Sequence, residues 1–386
     1  MPTLAQLKSA TLRLATNLRG WKTRRKLLII ESDDWGAIRM TGRQAWERLL
    51  AAGIRVDRSR YDSLDCLENR EDFQELMNVI DAHRDANGRP AAFTFNTVMG
   101  NPDFDAIERD GFERFHHQQL FDSYREYHGE ELDPLWRAAM AKRLIRPQLH
   151  AREHLNSPLW LADLKAGHRQ ARLAFKHRFY GLKTRTGSKH QKSYLAACWP
   201  DSPEHMNEII CIAEDGTDQF ESTFGYRSST FIGCNYVWPE ALEKRLAGKG
   251  IKLLQTQRGH IQPDPERQGA TSIRRHYTGE TNRHGQHYSV RNVLFEPYLD
   301  ENTDWAKKAL SEISQAFRLN RPAIVCSHRI NYVSGMNLKH RDRSLGQLDA
   351  LLTGVRQRWP EVEFITSDEL CDLMTLNGRT GERENG

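Results

Sequence analysis

Short apolar runs recur along the chain, and each lies next to a stretch with helical spacing. The run at residues 27–30 ends in the acidic pair Asp33 and Asp34 and leads into a helical pattern at 43–52. The runs at 90–96 and 145–150 also end in polar residues. Because parallel α/β proteins carry functional groups just past the carboxyl ends of their strands, this pattern predicts such a fold and a site at those ends.

The rest of the pattern completes about seven strand and helix units. We predict one α/β domain over residues 27–376, with a helical insertion or lid at 157–221 and a flexible tail at 377–386. A polar stretch at 259–297 suits a long functional loop or a small hairpin. Further strands are predicted at 222–226, 251–256, 323–327 and 364–366, and further helices at 73–86, 134–144, 239–247, 305–317 and 344–359.

Residues 1–26 differ from the remainder because they are basic and amphipathic. Seven lysines and arginines accompany apolar residues at near-helical spacing. The first interpretation is a helix packed across the closed end of a barrel, and the second is a helix in contact with a membrane surface. The apolar positions are Leu4, Leu7, Leu14, Leu18 and Trp21.

Composition limits the classes to which the protein can belong. Hydrophobic residues make up 38% of the chain, and no stretch approaches the roughly 18 consecutive apolar residues of a membrane span. The net charge of +5 is small for 386 residues and basic residues alternate with acidic ones, which argues against nucleic acid as a partner. We therefore expect a water-soluble protein.

The cysteines and the N-terminus bear on the cellular compartment. The six cysteines are scattered without C-x-x-C spacing, so neither a zinc knuckle nor a disulfide framework is indicated. The first residues lack the apolar core and small-residue cleavage site of a secretory signal. These features predict free thiols and a cytoplasmic protein.

Three motifs carry candidate chemistry. Asp33 and Asp34 follow a strand and point in different directions, so one can bind a metal while the other faces a substrate. His150 and His154 are four residues apart after another strand, where a helical turn would aim both imidazoles at a shared divalent ion. With Asp34 as third ligand, such a set suits zinc, and cobalt or nickel could compete. His328 ends a late strand, where its near-neutral pKa suits a proton donor.

The order of these motifs, with Arg227 in the segment Phe-Gly-Tyr-Arg-Ser-Ser-Thr, resembles the polysaccharide deacetylase (NodB-homology) superfamily, also called carbohydrate esterase family four. The resemblance spans residues 27–370. It implies a distorted (β/α)7 barrel and a metal-dependent hydrolase that removes N- or O-linked acetyl groups from a polysaccharide or glycan precursor. It also implies roles for the matched residues: Asp33 as general base, Arg227 as the arginine that orients it, His328 as general acid, and Asp34, His150 and His154 as metal ligands.

The chain also departs from the family pattern. Serines, and not a proline, follow Arg227, and the pair Asp304-Trp305 is predicted to open a helix where the family motif follows a strand. The sequence therefore does not identify the residue that tunes His328. Aromatic and polar side chains predicted to bind sugar are Trp35, Asn96, Tyr226, Asn235, His284, His287, Tyr288 and Tyr332.

Two other functions are compatible with a barrel of this type. A glycoside hydrolase would need two carboxylates about 5–10 Å apart around the scissile bond, which adjacent Asp33 and Asp34 do not readily provide. A non-catalytic saccharide-binding barrel would need none of the metal and acid-base residues. Metal independence would indicate the first, and a metal-loaded protein inert toward acetylated sugars would indicate the second.

Overall fold

A parallel sheet curled into an incomplete barrel forms the centre of the molecule. The structure is a computed structural model that describes residues 15–182, 193–267 and 270–383. The strands are β1 (Lys26–Trp35), β2 (Phe93–Val98), β3 (Gly100–Pro102), β4 (His117–Gln119), β5 (Ile145–Ala151), β6 (Thr230–Phe231), β7 (Leu253–Thr256), β8 (Gly259–Pro263), β9 (Thr271–Arg275), β10 (His287–Val290), β11 (Val293–Leu294), β12 (Ala323–His328) and β13 (Val362–Ile365).

The main sheet has the strand order β10-β7-β6-β5-β2-β1-β12-β11, and its neighbouring strands are parallel. Strand β13 pairs with the first half of β1. Strands β3 and β4 form an antiparallel pair, as do β8 and β9. The prediction of a distorted (β/α) barrel is confirmed.

Helices cover the outside of the sheet. Several begin with side-chain caps, such as the capping box that Asn69 and Asp72 form at the start of one helix. The helices are α1 (Arg43–Ala51), α2 (Arg60–Leu64), α3 (Arg70–Asp81), α4 (Phe104–Arg109), α5 (Leu120–His128), α6 (Asp133–Ala141), α7 (Ser157–Lys165), α8 (Arg169–Lys176), α9 (Pro203–Phe224), α10 (Glu240–Gly248), α11 (Trp305–Arg318), α12 (Leu338–Arg358) and α13 (Ser367–Arg383).

Alternation along β1 separates the outer core from the barrel interior. Leu28 and Ile30 belong to the large apolar cluster between sheet and helices. Leu27 and Ile29 point the other way, into an apolar cluster at the end of the barrel where β1 begins, which is called the lower end. Because both faces of a parallel sheet are covered, the residues on both faces of β1 are apolar. The sequence at 27–30 is therefore an uninterrupted apolar run. The lower cluster also contains Leu253, Ile324, Ile365, Leu370, Cys371 and Met374.

Above this apolar layer the interior is polar. The side chains there hydrogen-bond to one another: the Ser367 hydroxyl donates to Glu31 at 2.9 Å, and Gln255 Nε2 donates to Thr230 Oγ1 at 2.8 Å. Pairing of this kind offsets the cost of removing polar groups from water. The fully buried members of the layer are Glu31, Thr94, Asn96, Gln148, Thr230, Gln255 and Ser289.

A crossover of the chain between β10 and β11 joins the two edges of the sheet and forms the seam of the incomplete barrel. The backbone N–H of Arg291 donates to Thr256 O on one side at 3.0 Å, and that of Asn292 donates to Ile324 O on the other at 3.1 Å. This seam places the Arg291 side chain inside the barrel, where it is 7% exposed.

Most predicted elements are present, including a hairpin within residues 259–297, and other elements are corrected or added. Residues 222–226 are not a strand, because α9 continues to Phe224 and ends at Gly225 in the left-handed region. The stretch at 259–297 contains the β8–β9 hairpin and also β10 and β11. Strand β6 was not predicted, since two residues carry no periodic signal. Helix α13 continues to Arg383, past the predicted start of the tail.

The N-terminal segment is described only from residue 15, so most of the predicted amphipathic helix lies outside the described residues. The visible part packs on the barrel. Arg321 donates to the carbonyls of Asn17, Leu18 and Trp21 at 2.8–2.9 Å. Among the described residues, no helix has both the length and the apolar character needed to cross a membrane.

Candidate active site

The carboxyl ends of β1, β5 and β12 meet at a pocket of about 150 Å³. Asp33 lies opposite His328 in the parallel register of β1 and β12, and the end of β5 contributes His150. This convergence follows from the barrel, because parallel strands present their carboxyl ends at one rim. The residues that line the pocket are Asp33, Asp34, Arg39, Tyr61, His150, His154, Gly233, Asn235, Tyr236 and His328.

The two adjacent aspartates separate because β1 changes course between them. The register with β2 shifts between Ser32 and Trp35, and Asp34 has a φ of 74°. This left-handed conformation is costly for a residue with a Cβ and is found at functional sites. Asp33 thereby stays on the interior face of the strand, while Asp34 turns toward the histidines.

Asp34, His150 and His154 have the spacing of a metal-binding set. Asp34 Oδ1 lies 3.3 Å from Nε2 of His150 and 3.3 Å from Nε2 of His154. Ligand atoms that surround one zinc ion at about 2.0–2.2 Å are separated by about 3.3–3.6 Å in tetrahedral geometry. Asp34 Oδ1 therefore lies at the distance from each imidazole that a shared divalent ion would require. The chain bends after Ala151, so the two histidines converge without the predicted helical turn.

Hydrogen bonds and burial set the protonation and orientation of these three side chains. His150 Nδ1 lies 2.9 Å from Ile232 O, which fixes the proton on Nδ1 and leaves Nε2 free to bind a metal. Burial lowers the pKa of His154 to about 3, so this imidazole is neutral. Burial opposes ionisation of Asp34, but its hydrogen bond with His150 leads the effects that outweigh burial and lower the pKa of Asp34 well below its ordinary value. The Tyr61 hydroxyl donates to Asp34 Oδ2 at 2.5 Å.

Asp33 is held as a carboxylate by a different set of partners. Arg291 binds it with both terminal nitrogens, Nη1 to Oδ2 at 2.7 Å and Nη2 to Oδ1 at 2.6 Å, and Asn96 Nδ2 donates to Oδ1 at 2.7 Å. Burial alone would raise the pKa of Asp33, but the charge and hydrogen bonds of Arg291 lower it to about 2. Asp33 is therefore ionised throughout the physiological pH range.

His328 faces Asp33 from β12 and is backed by a glutamate. Its Nε2 lies 3.5 Å from Asp33 Oδ2, and its Nδ1 lies 2.5 Å from Glu296 Oε1. Burial would lower the pKa of His328, but the charge and hydrogen bond of Glu296 outweigh it and raise that pKa well above its ordinary value. Glu296 is thus the partner of His328 that the sequence did not identify.

Two cysteines lie beside these groups. One nitrogen of each of His150 and His154 and the sulfur of Cys234 all lie within 4.8 Å of one another, as do ligand atoms of Glu296, Cys326 and His328. Burial raises the pKa of Cys234 well above its ordinary value, so its sulfur carries a proton at neutral pH. Asp34, whose Oδ1 lies 3.3 Å from Nε2 of both histidines, and Cys234 are thus both placed to act as a third donor.

Arg227 does not reach the site, which corrects the prediction that it orients Asp33. Its side chain is 65% exposed and pairs with Glu221 at 2.9 Å. The chain leaves α9 just before this residue, so Arg227 stays outside the sheet. Arg291, at the barrel seam, makes the contact with Asp33 that the family resemblance implied for Arg227.

The predicted sugar-binding residues fall into separate groups. Asn235 lines the pocket, and Asn96 contacts Asp33 from below. Trp35 and Tyr332 are corrected to core residues, because they are 1% and 0% exposed. The other four are also away from the pocket: Tyr226 packs on Arg146 at the start of β5, His284 and His287 precede or begin β10, and Tyr288 is buried against Glu243 and His276.

The residues that sequence reasoning missed come from segments without a clear motif. Arg291 and Glu296 flank a two-residue strand, and Tyr61 lies on a five-residue helix. Arg39 stacks on Tyr61, with its Cζ 4.7 Å from the ring centroid. A charged or aromatic residue in such a short element gives no periodic signal, so only the tertiary contacts reveal its place.

Comparisons with known proteins give limited information. Neither a protein-family model nor a curated protein sequence matches the chain. Among solved structures, the chain is similar to the peptidoglycan deacetylase PdaC from Bacillus subtilis, with 10% identity, coverage of 94% of this chain and 96% of that chain, and a TM-score of 0.38. The α-amylase AmyC from Thermotoga maritima has 9% identity over 91% of this chain and 75% of its own, with a TM-score of 0.44.

A 4-α-glucanotransferase from Thermococcus litoralis is similar at 10% identity with a TM-score of 0.44. That similarity covers 89% of this chain and 40% of the glucanotransferase, so this chain spans less than half of that protein. Because all three similarities are weak, the function is inferred from the geometry of the site.

Proposed function

We propose that this protein is a metal-dependent hydrolase that removes acetyl groups from a carbohydrate. The observation that carries the proposal is the convergence of three groups in one pocket: a His-His-Asp donor set, a second ionised aspartate, and a histidine paired with a glutamate. The order of these residues along the chain, which resembles the polysaccharide deacetylases, supports the same reaction.

Asp34, His150 and His154 would hold the metal, with zinc preferred and cobalt or nickel as alternatives. When bound, the ion would acidify a water molecule and polarise the acetyl carbonyl. The protein's part is to keep Asp34 ionised, which the hydrogen bond from Tyr61 favours, and to turn Nε2 of His150 toward Asp34, which the contact of Nδ1 with Ile232 favours.

Asp33 would accept the proton of the attacking water. Its Oδ1 already accepts bonds from Asn96 and Arg291, whereas its Oδ2 accepts one from Arg291 and faces His328. Oδ2 is therefore the oxygen with capacity left for a water proton. Arg291 and Asn96 fix the carboxylate in position, which saves the cost of orienting it during the reaction.

His328 would donate a proton to the departing amine or alcohol. Its raised pKa keeps it protonated at neutral pH, and Glu296 at Nδ1 aims Nε2 at the pocket. The position of Nε2, 3.5 Å from Asp33, places the proposed acid and base beside the same small space.

The size of the pocket supports a small acyl group. Its volume is about 150 Å³. A pocket of this size accommodates an acetyl group, and the rest of the glycan would lie outside.

The ionisation of both aspartates argues against a glycoside hydrolase that uses this pair as its catalytic carboxyl groups. Such an enzyme needs a carboxylic acid that is protonated near neutral pH to assist the leaving group. The pKa of Asp33 is about 2, and that of Asp34 is well below its ordinary value. Neither carboxyl group of this pair can therefore serve as that acid.

The test is metal analysis of the purified protein combined with acetate release from a panel of N- and O-acetylated oligosaccharides. We expect a divalent ion at one equivalent per chain, loss of acetate release after chelation, and recovery on addition of zinc, cobalt or nickel. Cleavage of glycosidic bonds that persists after chelation would contradict the proposal. A metal-loaded protein that releases no acetate from any member of the panel would count against it equally.

A further inference from the structure

The segment Ser327–Tyr332 contains the end of β12 and the turn after it, yet the proposed reaction uses only His328 from this segment. Resting on the proposed function, we propose that Arg329 and Asn331 are positioning residues with separate tasks. Arg329 holds the loop that carries Asp34 and thereby sets metal affinity. Asn331 holds Glu296 and thereby supports proton donation by His328. One short segment thus supports both the proposed metal site and the proposed proton donor.

Arg329 is a fully buried cation clamped by two carboxylates. It is 0% exposed, and its Nη2 and Nη1 donate to Asp65 Oδ2 at 2.9 Å and to Glu68 Oε2 at 3.0 Å. Its Nη1 also donates to the carbonyl of Ala37 at 2.5 Å. A buried charge with this many bonds has little freedom to move, so it is a rigid anchor for the backbone it contacts.

The backbone that Arg329 anchors is the loop after Asp34. The N–H of Ala37 donates to Asp34 O at 3.1 Å, and the N–H of Gly36 donates to Glu68 Oε1 at 3.1 Å. Arg329 therefore contacts this loop in two ways: directly, by a hydrogen bond to Ala37, and indirectly, through Glu68, which binds Gly36. Asp34 needs such support because its backbone is in the left-handed region, with a φ of 74°.

Asn331 holds the other half of the site. It is 0% exposed, and its Nδ2 donates to Glu296 Oε2 at 2.8 Å and to the carbonyl of His328 at 3.0 Å. Its Oδ1 accepts from the N–H of Tyr298 at 2.9 Å, which fixes the segment just after Glu296. Since Glu296 Oε1 faces His328 Nδ1, Asn331 orients the glutamate through its second oxygen.

The two sets of contacts have no side chain in common. Arg329 reaches Asp65, Glu68 and the loop of Asp34, whereas Asn331 reaches Glu296, His328 and Tyr298. A change at one position should therefore alter metal affinity alone, and a change at the other should alter proton donation alone. This separation is the testable content of the inference.

The first arm of the test is Arg329→Lys, with Glu68→Gln as a second variant in case the first does not fold. Zinc affinity is measured by competition with a chelating dye, and folding by thermal melting. We expect a loss of about 10–100-fold in zinc affinity, the usual effect of residues that support metal ligands. At saturating zinc, acetate release should approach that of the parent protein. If both variants melt at a lower temperature but bind zinc like the parent, the assignment of Arg329 is overturned.

The second arm is Asn331→Ala, assayed with an N-acetylated sugar and with an acetyl ester of a phenol that leaves without protonation. We expect unchanged zinc affinity, a fall of about 10-fold or more in kcat for the amide, and little change for the ester. Equal losses on both substrates would overturn the assignment of Asn331, because a general disturbance of the site does not depend on the leaving group.

Tyr332→Phe is the matched control. Tyr332 lies in the same segment and is 0% exposed, and its hydroxyl hydrogen-bonds to Ser327 Oγ, which in turn accepts a long bond of 3.4 Å from Asn331 Nδ2. The control should bind zinc and release acetate like the parent. If the parent binds zinc but releases no acetate from any substrate, the proposed function fails, while the zinc arm still decides the role of Arg329.

Discussion

Along β1, Leu27 and Ile29 face an apolar lower interior, whereas Glu31 and Asp33, on the same face of the same strand, meet charged and polar side chains. The lower residues pack against Ile324 and Ile365 and are sealed by α13. The upper ones are bound by Arg291, which donates to Glu31 at 2.8 Å and to Asp33 at 2.6 Å.

The difference shows that the two halves of the barrel are stabilised in different ways. The apolar half requires only side chains of complementary shape, because close packing of hydrocarbon is favourable wherever the side chains fit. The charged half needs specific partners, because an unpaired buried charge costs several kcal/mol. Small substitutions in the apolar half of the barrel should therefore change stability only slightly. Substitutions in the charged half should impair function.

The largest effect is expected at Arg291, the cation shared by both upper carboxylates. Arg291→Met would leave Glu31 and Asp33 buried without a counter-charge, so we expect a loss of about 3–5 kcal/mol in the free energy of unfolding and loss of acetate release. Urea denaturation measures the first quantity. A loss below about 1 kcal/mol would show that the upper half does not depend on this ion pair.

The next effect separates the two adjacent aspartates. Asp33→Asn should keep the metal content near that of the parent but lower acetate release by about 10²–10⁴-fold, because an amide cannot accept a proton. Asp34→Asn should deplete the metal, because a neutral oxygen replaces a charged ligand. Metal analysis with acetate assays on both variants provides the check. Equal metal loss in both would contradict the division of roles.

A smaller effect concerns pH. Because Glu296 raises the pKa of His328, the protonated acid is present below that pKa and is lost as the pH rises through it. Glu296→Gln should move the alkaline limb of the kcat profile to lower pH. It should also lower acetate release near neutral pH by about 10–100-fold, the value of a charge-assisted hydrogen bond. A profile with an unchanged alkaline limb would assign that limb to another group.

The smallest effect is expected in the lower half. Ile29→Val removes one methylene group from the apolar layer, so it should cost about 0.5–1.5 kcal/mol in the free energy of unfolding and leave metal content and acetate release unchanged. Urea denaturation and the acetate assay test this together. A loss of activity comparable with that of the upper variants would mean that the two halves are coupled.

The strand ends of the site were predictable because each ends a recognisable apolar run. Asp33, Asp34, His150 and His328 all lie in the last residues of strands long enough to show in the sequence, and the parallel fold brings such ends together. Arg227 was selected by its sequence context alone, and the structure places it outside the barrel. The neighbouring residues in the sequence do not indicate whether a side chain in a loop points into the barrel or toward solvent.

The sequence by itself determined the α/β alternation and the strand-borne candidates for metal and acid-base chemistry, because these depend on local periodicity and on the rule that parallel strands share one functional rim. The distorted barrel was implied by the resemblance to a known family. Only the tertiary structure decided which charges meet. Arg291 reaches Asp33 across 258 positions of the chain, and Glu296 reaches His328 from the far side of a two-residue strand. Such pairs are selected by the three-dimensional closure of the barrel, since a buried charge pairs with whatever opposite charge the fold brings within contact distance, however far apart they are in sequence.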